Sequence, residues 1–321
     1  MTDAAPTIAV LGATSQIARD YIGRAAVTDA RLALYARDPA RVDAWLAGQG
    51  LAGRFEVASL ECFADGEHAA VLNFIGVGDP ARAVAMGAGI FDATRRWDDA
   101  VLGYLARSPA TRYIFLSSGA VYGDAFDAPV TRDSAARFPV NALGAQHWYG
   151  LAKLAAEAGH RAEAGRSIID LRVFNYISGT ADIAARFLVT DCARAIRDGQ
   201  VFATTEQDMV RDYLGPDDFH RLVAACLAAP AGTNAAADAH TRAPIAKAAL
   251  LELLASGFGL DYRYTGTGGA VNATGAKPHY HSLDRTAGDW GYAPALDSAA
   301  TLRIEVAALL GRAVPPPKGR C

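Results

Sequence analysis

Apolar residues along the 321-residue chain fall into short runs, separated by stretches in which they recur every three or four positions. "TIAVLGA" (7–13) is an apolar run ending in glycine, "QIARDYIGRAA" (16–26) carries apolar positions at helical spacing, and "ARLALYARD" (30–38) is apolar again. That is strand, helix, strand, the opening of a βαβ unit with parallel strands. Further runs follow at "FEVASL" (55–60), "AAVLNFIG" (69–76), "TRYIFLSS" (111–118) and "SIIDLRVFN" (167–175), with helical stretches between most of them. Such alternation predicts an α/β fold, a doubly wound parallel sheet covered by helices on both faces. Beyond Asn175 the rhythm weakens: 261–285 is rich in Gly, Thr and Tyr and shows no clear period. We expect one domain over 1–175, to which 208–230 returns, and a smaller lobe over 176–321. No linker rich in Pro, Gly or Ser separates them.

Composition narrows the partners. With 51% hydrophobic and 20% charged residues the chain can fill a large core. A net charge of -3 argues against nucleic acid or an anionic membrane, both of which call for a clustered basic excess. The expected partner is a small molecule. The opening "MTDAAPTIAVLGATS" has no basic region leading a long apolar stretch, and no window runs to 18 uncharged apolar residues, so the expectation is a soluble, cytoplasmic protein. Cys62, Cys192, Cys226 and Cys321 show no CxxC spacing and read as reduced, mostly buried residues. Histidines show no metal-ligand spacing. Basic residues are mostly arginine, the only lysines being Lys153, Lys247, Lys277 and Lys318. A lysine here therefore needs more explanation than an arginine.

The first strand ends in "LGATSQIA", which places Gly12, Ser15 and Ala18 at the positions of a G-x-x-G-x-x-G loop. In such a loop the first glycine permits the tight turn, the second lets backbone approach a pyrophosphate, and the third allows close helix packing. Only Gly12 is retained; Ser15 offers a hydroxyl and Ala18 is small. At the end of the second strand an acid would bind the adenosine ribose of NAD, whereas an arginine suits the 2′-phosphate of NADP. The chain has Arg37, followed by Asp38 and, one turn later, Arg41. This favours NADP(H) and leaves NAD(H) possible.

"HWYGLAK" (147–153) sets Tyr149 and Lys153 four apart, on one helix face. About thirty residues upstream, "YIFLSS" ends in Ser117 and Ser118, at the carboxyl edge where open α/β sheets bind ligands. Hydride exchange at a carbon bearing oxygen needs a proton transfer at that oxygen. A phenol titrating near 10 is a poor base at neutral pH. A neighbouring ammonium favours phenolate and can also donate to ribose hydroxyls, and a serine can orient the reacting oxygen.

The ordered set "VLGATSQIA", "FLSSGAVYG", "YGLAK", "LRVFNY" and "VRDYLGPDDF", closing at "SLDRTAGDWGYAP", resembles the extended short-chain dehydrogenase/reductases, in their nucleotide-sugar epimerase/dehydratase branch, over about residues 7 to 292. The resemblance implies a Rossmann domain with a C-terminal substrate lobe and a homodimer pairing two helices per subunit. It implies Tyr149 as general acid/base, Lys153 as its modulator and ribose ligand, and Ser118 as holder of the reacting oxygen. Gly12, Thr14, Ser15, Gln16 and Ile17 would line the pyrophosphate, and Asn73, Phe74, Ile75 and Gly76 would pass the adenine and ribose. Asn175 and Arg211 match positions that contact the diphosphate of a nucleotide sugar, with Lys277 a second phosphate ligand and Gly119 beside the sugar. From the residues alone, Asn175 could equally cap a turn, and Arg211 could pair with Asp212 or Asp217. Trp148 and His147 read as packing and solvent-facing groups, not catalysts.

The family's 4,6-dehydratases carry an acidic pair after the catalytic hydroxyl; this chain has Gly119 and Ala120. Elimination of water needs an acid and a base there, so two enzyme readings remain. The first is NADPH-dependent reduction of a 4-keto group on a nucleotide-diphosphate sugar, favoured by Arg37. The alternative is an NAD-dependent 4-epimerase. A non-catalytic, cofactor-sensing protein is less compatible with the intact Ser118, Tyr149 and Lys153.

Overall fold

The computed structural model describes residues 7–77, 85–266 and 277–316. Its centre is a seven-stranded sheet built from β1 (Ile8–Leu11), β2 (Leu32–Ala36), β3 (Glu56–Ser59), β4 (Ala70–Asn73), β5 (Arg112–Ser118), β6 (Ile168–Val173) and β11 (Asn234–Asp238). The order is β3-β2-β1-β4-β5-β6-β11, and every pair is parallel. Strand order therefore reverses between β1 and β4, the switch point where a crevice opens beyond the strand carboxyl ends.

Alternate residues of each strand feed opposite faces. Val10, Leu34, Leu72, Ile114 and Ile169 pack on one face under α1 (Gln16–Ala25), α2 (Pro39–Gly48) and a later helix. Leu11, Tyr35, Val71, Tyr113 and Phe115 pack on the other, against Trp97, Val101, Tyr104 and Leu105 of α3 (Gly89–Arg107). Each such buried side chain contributes roughly 1.5–3 kcal/mol, enough in sum to hold the loops at the carboxyl edge to one geometry. α4 (Ala145–Ala162) lies beside α3 and crosses from β5 to β6. Between β3 and β4 a helix is replaced by a short 3₁₀ turn, Leu60–Asp65.

After β6 the chain runs through β7 (Asn175–Tyr176), α5 (Leu188–Asp198), β8 (Phe202–Thr204), β9 (Val210–Arg211) and β10 (Tyr213–Leu214). Helix α6 (Pro216–Ala228) then packs on α1 and leads into β11. β12 (Ile245–Ala246), α7 (Lys247–Phe258), β13 (Tyr262–Tyr264), β14 (His279–Tyr280) and α8 (Ser298–Leu309) follow. A second core joins Val189 and Ile196 of α5 to Leu250, Leu254 and Phe258 of α7 and to Leu302 and Val306 of α8. β9 is the clasp between segments: it pairs with β12 antiparallel and with β14 parallel, setting Arg211 opposite Tyr280. No helix among the described residues is long and apolar enough to cross a membrane. Cys192 and Cys226 are buried, but Cys62 is exposed, in the 3₁₀ turn where the chain skirts the sheet edge; Cys321 lies outside the described residues.

Candidate active site

The β1–α1 turn is set by one residue. Gly12 has φ +79°, and a Cβ there would come within 3.1 Å of the Ile75 backbone nitrogen and the Phe74 carbonyl carbon. No L side chain fits that turn without strain. Ser15 caps α1, its Oγ accepting from the Ala18 amide at 3.4 Å, while Gln16 donates from Nε2 to Ser178 Oγ at 2.9 Å. Thr14 and Ile17 are half-buried at the same turn. A bare turn running into the positive end of a ten-residue helix fits a dinucleotide pyrophosphate.

The β4 end is built differently from the side-chain contacts that its position suggests. Asn73 is sealed in the core: its Nδ2 donates to the Tyr113 hydroxyl at 2.9 Å and its Oδ1 accepts from the Ile75 amide at 3.0 Å. Phe74 is buried against Tyr21 and Phe219. Ile75 and Gly76 are left at the crevice, and a Cβ on Gly76 would stand 3.6 Å from Lys153 Nζ. Arg37, directly after β2, is exposed.

Ser118 closes β5 and Tyr149 sits in the first turns of α4, where the serine hydroxyl influences the phenol. The helix can approach so closely because residue 150 is glycine: a Cβ there would overlap the Ala120 carbonyl oxygen. Burial pushes the Tyr149 phenol up from its ordinary value, and the Ser118 hydroxyl opposes that. Lys153, 2% exposed, donates to the Leu116 carbonyl at 2.7 Å and lies 4.1 Å from the centre of the Phe115 ring. Burial brings its ammonium down to about 8, against the pull of Asp98, Glu157 and Asp170. His147 is buried, not solvent-facing. Its Nδ1 accepts from the Gly144 amide at 3.1 Å and its ring meets Phe138 edge-on, which pins the start of α4.

A third hydroxyl joins the pair. The Tyr280 phenol, buried deeply enough to be pushed well above its ordinary pKa, stands 3.5 Å from Ser118 Oγ, with its ring against Phe126 and Phe174. Gly119 abuts Phe174 in the same wall. Two cations flank Tyr280: Arg211, 5.7 Å from its ring centre, and Lys277 Nζ, 5.0 Å from it. Arg211 hydrogen-bonds the Val210 and Pro278 carbonyls. Neither acid that could have paired with it does so, since Asp212 is taken by Thr241 and Ser298 and Asp217 by Arg24. Burial brings Lys277 down to about 8, with Asp124 opposing and Arg211 adding to the shift. Asn175 Nδ2 donates to the Asp212 carbonyl at 3.1 Å and to the Tyr280 carbonyl at 3.4 Å, joining β7 to both segments. Among the described residues no group of three His, Cys, Asp or Glu could hold a metal ion.

Sequence spacing missed the polar skeleton behind this site. His160, fully buried two turns beyond Lys153 on α4, is held between Asp170 (Nδ1 at 2.6 Å) and Asp98 of α3 (Nε2 at 2.8 Å). Burial disfavours the charged ring, but the bonds with the two carboxylates outweigh it and raise the imidazole to about 9. Asp98 also accepts from Tyr113 at 2.8 Å, which extends the chain to Asn73. One turn nearer the site, Glu157 accepts from Ser117 at 2.5 Å and pairs with Arg172, which donates to Tyr122; Tyr122 and Ser282 both donate to Asp238. The only available signal was an apolar α4 interrupted at 157 and 160 on the face that bears 149 and 153.

Comparison with known proteins agrees with this picture. Residues 8–237 match the family model described as the NAD dependent epimerase/dehydratase family. No curated protein sequence matches the chain. Among solved structures, UDP-glucose 4-epimerase of Thermotoga maritima with UDP-glucose superposes with a TM-score of 0.76 at 17% identity, covering 94% of this chain and 98% of that one. UDP-glucuronic acid 4-epimerase of Bacillus cereus, in complex with UDP-4-deoxy-4-fluoro-glucuronic acid and NAD, gives 0.74 at 13% identity, with 94% and 98% covered. dTDP-glucose 4,6-dehydratase of Bacillus anthracis with NAD gives 0.72 at 14%, with 94% and 96% covered. At these identities the likeness is one of fold.

Proposed function

Since the chain belongs to the NAD-dependent epimerase/dehydratase family, we propose that it acts on a nucleotide-diphosphate sugar, moving a hydride and a proton at C4, and that the net reaction is 4-epimerisation. The observation that carries this reading is the convergence of Ser118, at the carboxyl end of β5, with Tyr149 in the first turns of α4 and Lys153 one turn further along the same helix. A nicotinamide dinucleotide held at the β1–α1 turn would supply the hydride acceptor and donor. Tyr149 takes the proton of the C4 hydroxyl on oxidation and returns it on reduction, while Ser118 holds the oxygen. Lys153 spends one N–H on Leu116 and has others for ribose hydroxyls. Asn175, Arg211 and Lys277 receive the anionic part of the substrate, which supplies the counter-charge that the two cations lack.

Gly119 and Ala120 offer no acid and base for elimination at C5 and C6, which separates this site from the dehydratases. Similarity to structures named as 4-epimerases supports epimerisation over simple 4-ketoreduction. The second reading, NADPH-dependent reduction of a 4-keto sugar nucleotide, is supported by the exposed Arg37 after β2, which suits the 2′-phosphate of NADP(H); the epimerase reading calls for NAD(H). The division into a Rossmann domain over 1–175, rejoined by 208–230, and a substrate lobe belongs to the same proposal. So does a homodimer through α3 and α4, where Phe91 stands exposed on α3.

The test is a panel of UDP- and dTDP-hexoses carrying deuterium at C4, followed by NMR. Inversion at C4 with the deuterium retained supports the epimerase. Consumption of NADPH only with a 4-keto sugar nucleotide supports the reductase. No change at C4 with any substrate, in protein that binds the dinucleotide, overturns both.

A further inference from the structure

The catalytic helix and the strand that faces it are joined by more than the reacting hydroxyls. Tyr149, Lys153 and Glu157 recur every four residues and share one face of α4. That face meets three successive residues at the end of β5. Ser118 influences the Tyr149 phenol, the Leu116 carbonyl accepts from Lys153 at 2.7 Å, and Ser117 Oγ donates to Glu157 at 2.5 Å. Glu157 is buried, and Arg172 on β6 grips both of its oxygens, through Nε at 3.0 Å and Nη2 at 2.5 Å. From there a polar chain runs on. Arg172 Nη1 donates at 2.8 Å to Tyr122, in the 3₁₀ turn Gly119–Tyr122 that follows β5. Tyr122 donates to Asp238 at 2.9 Å, and the same carboxylate oxygen accepts from Ser282 at 2.6 Å. Ser282 lies two residues past Tyr280, whose hydroxyl stands 3.5 Å from Ser118 Oγ. The chain thus leaves the catalytic helix, passes the end of β5 and returns to the segment that brings Tyr280 to the site.

Stability alone does not account for such a chain. Glu157 and Asp238 are buried carboxylates that share Arg172, and an apolar core of the same volume would hold these elements together as well or better. What a two-pronged carboxylate–guanidinium contact adds is direction, because its planes and lone pairs permit one relative placement of the groups that carry them. Placement matters at this position, since a shift of about 1 Å in a reacting group can cost about a hundredfold in rate. We propose that Glu157 is a positioning residue for the proton transfer. Through Ser117 it sets the end of β5, and with it Ser118, against Tyr149 and Lys153. Through Arg172, Tyr122 and Asp238 it fixes the Tyr280 segment to the same frame. Buried as it is, Glu157 acts through these partners and not on the substrate. The inference rests on the reading that Tyr149 moves a proton at C4, and it holds whether the net reaction is epimerisation or reduction.

A double-mutant cycle on the full chain tests it, read as turnover by NMR at saturating dinucleotide, with the UDP- or dTDP-hexose that the wild type converts. Ser117→Ala removes one charge-assisted hydrogen bond and should lower turnover by about tenfold, with KM and dinucleotide affinity within about twofold. Glu157→Gln, which also loosens the grip of Arg172, should lower turnover by about a hundredfold. In a Tyr149→Phe background the aligned proton transfer is already gone, so Ser117→Ala should cost less than about threefold there. General weakening of the fold would lower both backgrounds alike. Equal costs with and without Tyr149, or no cost in the wild-type background, therefore overturn the positioning role and leave the catalytic reading standing. A melting curve shows whether Glu157→Gln is folded; if it is not, Ser117→Ala decides alone. No conversion of any hexose by the wild type overturns the catalytic reading, and this inference with it.

Discussion

Replacing His160 with glutamine should remove a pH-dependent part of the stability that holds the catalytic helix in place. The imidazole is fully buried and bridges Asp98 and Asp170, and its folded pKa of about 9 lies above the unfolded value of 6.5. A raised pKa means that the folded state binds the proton more tightly, so the stabilisation is fully present below 6.5 and is lost as pH rises through 9. At 1.36 kcal/mol per pKa unit, the gap of two to three units corresponds to about 3 kcal/mol. Lys153 works in the opposite direction, since its folded value of about 8 lies below the unfolded 10.5. The informative quantity is therefore the difference between wild type and variant. Urea unfolding at pH 6.5 and pH 9.5 should show the wild type's advantage over His160→Gln shrinking by about 3 kcal/mol across that interval. An advantage that stays constant with pH would refute the claim that His160 is a buried imidazolium.

Other outcomes follow from the same geometry. Tyr149→Phe should lower turnover by about 10²–10⁴-fold, the usual worth of a positioned acid/base, while leaving dinucleotide affinity nearly unchanged in a binding titration. Gly150→Ala should drive a methyl into the Ala120 carbonyl and destabilise by about 1–3 kcal/mol, read as a lowered urea midpoint with a matching loss of activity. Gly12→Ala, at φ +79°, should abolish dinucleotide binding in calorimetry with little change in helix content by circular dichroism.

The central architecture was legible because β1, β2, β4, β5 and β6 lie in short, mainly apolar runs that are separated by helical periods. The seventh strand was not. β11 reads Asn-Ala-Ala-Ala-Asp, a sequence with no strand preference, and it becomes a strand only because β6 offers an open edge and α6 delivers it there. At the site, the four-residue spacing of Tyr149 and Lys153 and the strand end at Ser118 are local signals, and the structure brings them together. Tyr280 and Ser118 are 162 positions apart, and their meeting depends on the pairing of β14 with β9, two-residue strands too short to leave a pattern. The same holds for Asp98 and His160, 62 positions apart. Asn73 shows the converse case: its place at the end of β4 was readable, but its side chain turns inward because Tyr113, on the next strand, presents a hydroxyl.

In the proposed reaction Tyr149 moves a proton at C4 of a nucleotide sugar while hydride is exchanged at the same carbon. The most direct measurement is the rate at which wild type and Tyr149→Phe interconvert the C4 epimers of a nucleotide sugar, followed by NMR at saturating dinucleotide. We predict conversion by the wild type and a loss of at least a hundredfold in the variant with the dinucleotide still bound. Equal conversion by both proteins would contradict the claim.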